Sequence, residues 1–109
     1  MNDKRRLQDM LAAIGTIEGF GLTDFETFKV DKKTQDAVMY NLIIMGEAAN
    51  QVPPDVQERH SSIPWSAIIG TRNVIVHGYD QVKLQVVWGI IKDDLAKLKL
   101  EIQKAIEKL

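Results

Sequence analysis

Eight apolar residues near the end of the chain, Leu84, Trp88, Ile91, Leu95, Leu98, Ile102, Ala105 and Leu109, follow one another in alternating steps of four and three. Such steps keep side chains on one side of a helix and make the seam of helices that cross at a shallow angle. Charged residues such as Lys92, Asp93, Lys97 and Glu101 stand off the seam, where i, i+4 pairs support an exposed helix face. The pattern predicts one long helix from about Gln81 to Lys108 with a wet face and a face that needs partners. No alternating strand pattern of useful length, internal repeat or low-complexity segment occurs elsewhere, so those partners must be helices.

They are readable in chain order. Asn2 or Asp3 can cap a helix to about Glu18 or Phe20, with Leu7, Met10, Leu11, Ile14 and Ile17 as its apolar stripe. Gly19 and Gly21 punctuate its end. Thr23 with Glu26 has the form of a capping box and predicts a short helical turn. Asp31 then caps a helix over roughly 32–51, apolar on two sides: Val38, Leu42, Met45 and Ala49 on one, Tyr40, Ile43 and Ile44 on the other. A helix apolar nearly all round is buried, or lies between a core and a partner subunit. Pro53-Pro54 ends it. Residues 54–63 read as a polar connection with one turn around Val56, before a further helix that begins at Pro64. The expected fold is all-α, a four-main-helix up-and-down bundle with one or two short extra turns, forming a single domain over residues 1–109.

Composition narrows the chemistry. The 109 residues include no cysteine, which removes disulfides and thiolate metal sites. No carboxylate or histidine cluster has metal-ligand spacing. The net charge of −1 is unlike that of proteins that hold nucleic acid by bulk electrostatics, so any such binding needs a local patch or an assembled groove. Neither a leader-like apolar run nor a stretch approaching ~18 apolar residues occurs, and a soluble cytoplasmic protein is expected.

The stretch Ile63–Asp80 carries the residues that ask for a function. Trp65, Ile68, Ile69, Ile75 and Val76 all fall within roughly 60° of Arg72 at ~100° per residue. An arginine in the middle of an apolar stripe requires a partner, because Arg is rarely buried unpaired. His77, Gly78, Tyr79 and Asp80 follow, with Gly78 expected to end the helix in a left-handed turn. Arg72 and His77 point ~140° apart, whereas Asn73 and His77 stack at i, i+4, so that Asn73 can orient the imidazole. One reading makes Arg72 a buried partner of Glu47 and His77 a residue favoured by the helix dipole. The other makes Arg72 a bidentate phosphate holder and His77 a proton carrier, a pair able to drive attack by an RNA 2′-hydroxyl without metal. His60 reads as a loop residue, Trp65 and Trp88 as core, and Lys4-Arg5-Arg6, Lys29, Lys32 and Lys33 as solvated faces.

Arg72-Asn73-Val74-Ile75-Val76-His77-Gly78-Tyr79 has the form R-x-x-x-x-H-x-Y, preceded by Ile63-Pro64-Trp65. With Met45-Gly46-Glu47-Ala48-Ala49 before it and Val86-Val87-Trp88 after it, the chain resembles the HepT-like toxins of the HEPN superfamily of small helical ribonucleases. The likeness covers most of the chain. It implies the toxin component of a type II toxin–antitoxin system, a homodimer in which the Arg–His motifs of two subunits form one metal-independent site for RNA. It also implies a nucleotidyltransferase antitoxin of the MntA type that silences the toxin by adenylylating the motif tyrosine. Carried over to this sequence, Arg72 and His77 are catalytic, Asn73 and Glu47 supporting, and Tyr79 the modification site; no cofactor and no membrane contact is implied. Many relatives have an aromatic residue after the tyrosine, where this chain has Asp80, whose carboxylate opposes RNA phosphate. From a different class stands the alternative of a catalytically silent helical partner that binds the nucleotidyltransferase, or a nucleotide, through the same face.

Overall fold

The computed structural model describes residues 3–109. Asn2, one of the two expected caps of the first helix, lies outside them, and Asp3 is already helical. The first helix, α1 (Asp3–Gly19), buries Leu7, Met10, Ala13, Ile14 and Ile17, and ends where Gly21 takes a positive φ of 65°. Only glycine adopts that conformation without strain. A short helix, α2 (Phe25–Lys29), is capped by Asp24, whose side chain accepts from the Thr27 amide at 2.7 Å. Asp24, one residue along from the expected Thr23, therefore makes the cap.

The long helix α3 (Lys32–Gln51) starts at Asp31, as expected, with that carboxylate accepting from the Thr34 amide and hydroxyl. It is the centre of the bundle: α1 packs on one side of it and α5 (Trp65–His77) on the other, while α7 (Leu95–Glu107) packs against α1. Val38, Leu42, Met45 and Ala49 are buried as the periodicity requires. Its second apolar side is not core: Ile43 and Ile44 are half-buried and Tyr40 is 64% exposed.

Between α3 and α5 the polar connection is a helix in its own right, α4 (Pro54–Arg59). Gln57 donates to the carbonyls of Ala49 and Val52, and the Trp65 indole N–H donates to those of Gln57 and His60. These bonds satisfy helix-end carbonyls that would otherwise lack partners, which is why a segment of polar composition stays ordered. Among the described residues there is no strand.

The C-terminal seam is helical but not uniform. It comprises α6 (Leu84–Gly89), a π-helical turn at Ile90–Asp94, and α7. Ile90 and Leu95 keep right-handed helical backbone, so the pieces run on from one another. Before the π turn the buried residue is Val87, with Leu84 and Trp88 only half-buried; after it they are Leu95, Leu98, Ile102 and Ala105. Val87 to Leu95 is one residue more than a heptad step, and a π turn absorbs about one extra residue. The register thus shifts so that both halves face the core. Leu109, expected on the seam, lies beyond the helix and is exposed. Trp88 instead closes the end of the bundle, its ring 5.5 Å from that of buried Phe28 and 6.2 Å from that of Phe25, centroid to centroid. The outcome is the all-α, HEPN-like bundle that the periodicities and the resemblance imply. No described helix is long and apolar enough to cross a membrane.

Candidate functional site

Gly46 sets the position of Arg72. A Cβ built on Gly46 would lie 2.1 Å from the Arg72 Cβ, 2.8 Å from its Cγ and 3.1 Å from the Ile68 carbonyl oxygen. Only a residue without a side chain lets α5 approach α3 this closely. Arg72 accordingly leaves α5 directly against the α3 backbone, and its guanidinium turns outward. There Nη2 is 3.5 Å from Glu47 Oε2, and Nη1 donates to Asn73 Oδ1 at 2.9 Å. Nε is shut off from solvent and meets no acceptor among the described residues. The structure thus brings together Arg72, Glu47 and Asn73.

The pair is not a buried one. The Glu47 side chain is 55% exposed and that of Arg72 29%. An ion pair this open contributes about 0–1 kcal/mol, well below the cost of breaking a buried pair. The reading in which Arg72 exists to neutralise Glu47 inside the core does not describe this geometry.

His77 is the last residue of α5 and exposed, and its imidazole has no hydrogen-bond partner among the described residues. Asn73, expected to orient the imidazole, instead accepts from the arginine through its side-chain Oδ1. Gly78 does not take a left-handed conformation: its φ is −149°, and its N–H bonds the Val74 carbonyl oxygen at 2.9 Å to close the helix. A 3-10 turn, Tyr79–Gln81, follows, with Asp80 exposed on it. Val76, placed by its spacing on the stripe that faces the core or a partner, is 44% exposed, and Val74 is 61% exposed. Five residues apart on α5, Arg72 and His77 point ~140° from one another. The guanidinium is part-buried against α3, whereas His77, Val74 and Val76 are exposed, and the two side chains are not in contact within one chain. An apolar groove of about 280 Å³ between α5 and the C-terminal helices lies on a different side, lined by Ala67, Ile68 and Thr71 of α5 and floored by Leu42 and Met45.

Tyr79 is held by the adjoining helix α3, in a contact that sequence reasoning missed. Its hydroxyl donates to Asp36 Oδ1 on α3, and the same oxygen is 2.6 Å from Lys32 Nζ. The Lys32 ammonium also stands 5.5 Å from the centroid of the Tyr79 ring. Lys32 and Tyr79 together hold the Asp36 carboxyl below the usual carboxylate range, the lysine having the larger effect. Burial first, and then the hydrogen bond and charge of Asp36, push the Tyr79 phenol up to about 12. Protonated Tyr79 is favoured by folding, so this contribution to stability is present below the ordinary phenol pKa of 10 and lost as pH rises towards 12. In a spectrophotometric titration the Tyr79 phenolate should appear only as pH nears 12, and Asp36→Asn should move it to lower pH. An unmoved titration would mean that Asp36 does not hold the hydroxyl in solution. Nothing local in the sequence marks Asp36, which is 43 positions from Tyr79. Its one visible cue is Lys32 a helical turn before it.

Among the described residues no three His, Cys, Asp or Glu side chains group closely enough to hold a metal ion. The molecule is a small all-α bundle that carries a part-buried arginine and an exposed histidine on one helix, and comparison with known proteins gives the family. Residues 10–105 match the family described as ribonuclease HepT-like, and the chain belongs to that family. It is 39% identical over 102 residues to the "Probable ribonuclease HepT" of Thermococcus cleftensis, covering 93% of each chain. A Methanocaldococcus jannaschii protein named as a candidate RNase is 33% identical over 101 residues, 92% of this chain and 93% of that one. A second protein of that organism, named as a gamma-glutamylcyclotransferase and a candidate RNase, is 35% identical over 104 residues. This chain spans 94% of its own length in that match and 47% of the larger protein. No solved structure matches the chain.

Proposed function

We propose that the protein is a ribonuclease that cleaves RNA without a metal ion, with Arg72 binding the scissile phosphate and His77 transferring protons. The observation that carries this reading is His77, exposed and without a partner on the same helix as Arg72, in a chain of the ribonuclease HepT-like family. An imidazole in that setting is free to take the proton from a 2′-hydroxyl and to protonate the leaving 5′-oxygen. Each Arg72 Nη carries two hydrogens, of which the Glu47 and Asn73 contacts occupy only part, so the planar fork retains donors for phosphate oxygens. Glu47 and Asn73 hold the guanidinium ready, and the weakness of the Glu47 pair lets phosphate replace it.

The exposed face of α5 around His77, Val74 and Val76 is a poor site by itself, because water would screen the charges there. A second copy of the chain covering that face would exclude water and bring two Arg72 residues to one groove, focusing positive potential in a protein of net charge −1. The functional unit is therefore a homodimer. In a toxin–antitoxin pair of type II, an MntA-type nucleotidyltransferase would silence it by adenylylating Tyr79. The added phosphate and base lie two residues from His77 and compete with RNA for the groove. The test is cleavage of a mixed-sequence RNA in excess chelator, before and after adenylylation. Cleavage that survives the chelator and is lost on modification is the expected result. Cleavage that needs metal, or that is indifferent to AMP on Tyr79, would remove the corresponding half of the reading. The absence of cleavage under all conditions would favour a silent partner of the nucleotidyltransferase.

A further inference from the structure

We propose that Asp36 is the proton acceptor for nucleotidyl transfer to Tyr79, so that this chain supplies the base for its own modification. The proposal rests on the reading of Tyr79 as the adenylylated residue, and its ground is the geometry around the phenol. Of the two tyrosines in the sequence, Tyr79 has its hydroxyl on a carboxylate, whereas the Tyr40 hydroxyl has no hydrogen-bond partner among the described residues. Tyr40 is nevertheless the more exposed of the two, at 64% against 41%. Exposure alone would select Tyr40, and the presence of a proton acceptor selects Tyr79.

A phenol with a pKa raised to about 12 is almost wholly protonated near neutrality, so attack must begin from the neutral hydroxyl. Asp36 stays ionised because Lys32 pairs with it, and it therefore accepts at any neutral pH. A weakly basic carboxylate suffices for this step, as with the aspartate of a kinase catalytic loop, because the phenolic proton becomes acidic once the new bond has begun to form. In the transfer, Tyr79 Oη forms a bond to the α-phosphorus of ATP. The bond from that phosphorus to the β-bridging oxygen breaks, pyrophosphate leaves with the electron pair, and the phenolic proton passes to Asp36. Asp36 then releases it to water. Lys32, at hydrogen-bonding distance from Asp36 and 5.5 Å from the centroid of the ring, places a cation beside the phenol that receives the phosphate charge.

The experiment follows adenylylation of the full chain by an MntA-type nucleotidyltransferase with ATP, read by intact mass and peptide mapping. Asn at position 36 keeps an oxygen that can accept from the hydroxyl but cannot take its proton. Asp36→Asn should therefore slow the transfer by ~10²–10⁴-fold in kcat with KM for ATP little changed, while Asp36→Glu restores the rate towards wild type. Asp36 is half-exposed on α3, so neither change threatens the fold, and circular dichroism should be unaltered. Equal rates for wild type and Asp36→Asn would overturn the proposal while leaving Tyr79 as the modified residue. Wild-type protein that gains no AMP, or gains it on Tyr40, would overturn both.

Discussion

Replacing His77 with alanine should lower RNA cleavage by ~10²–10⁴-fold, the usual contribution of a positioned acid–base group. That is ~3–5 kcal/mol of transition-state stabilisation at ~1.4 kcal/mol per decade. Stability should stay within about 0.5 kcal/mol of wild type, because the side chain is exposed and makes no hydrogen bond among the described residues. The two readouts together separate catalysis from architecture. Arg72→Ala cannot do this as cleanly, since it also frees Glu47 and Asn73 and uncovers the α3 backbone at Gly46. The measurement is a single-turnover cleavage assay in chelator, with chemical denaturation of both proteins. Unchanged cleavage by His77→Ala would exclude the proposed proton carrier and move the reading towards a silent binding partner.

What the sequence made legible follows the range of the interactions involved. Helix identities rest on local periodicity and caps, and Leu7 to Ile17 and Val38 to Ala49 lie where their spacing puts them. Spacing also placed Arg72 in the middle of an apolar stripe, where the structure has it part-buried against α3, and its pairing with Glu47 was one of two open readings. Local patterns failed wherever a long-range contact decided. Thr23 and Asp24 are chemically similar caps, and the geometry of the entering chain chose Asp24. The heptad seam is continuous in sequence, yet Val87 replaces Trp88 in the core because α2 offers Phe25 and Phe28 as a surface for the indole. Tyr40 and Val76 are apolar by type and exposed in fact, a combination that periodicity cannot distinguish from burial and that an interface would explain. The Asp36–Tyr79 bond joins the start of α3 to the turn after α5, and it exists only because those two helices pack together.

Gly46→Ala should destabilise the protein by ~1–3 kcal/mol, the cost of overpacking, although helix propensity alone predicts a gain of up to ~1 kcal/mol. The two effects oppose each other and packing wins, for a reason specific to this site. The new Cβ would lie 2.1 Å from the Cβ of Arg72, and both atoms are fixed to their backbones. No rotamer change relieves such a clash, so α3 and α5 must move apart and loosen the contacts of Met45, Ala49 and Ile68. Gly15, on the exposed face of α1 with nothing within 4 Å of an added Cβ, is the internal control. Gly15→Ala should realise the propensity gain that Gly46→Ala cannot. Cleavage should fall as well, by about 10²-fold, because displacing a phosphate-binding group by ~1 Å costs that much. Arg72→Gly introduced beside Gly46→Ala deletes the opposing Cβ and should recover part of the lost stability, which appears as a coupling energy in a double-mutant cycle. A Gly46→Ala protein more stable than wild type and equally active would show that α3 and α5 do not approach this closely, and that Arg72 is not placed by the missing side chain.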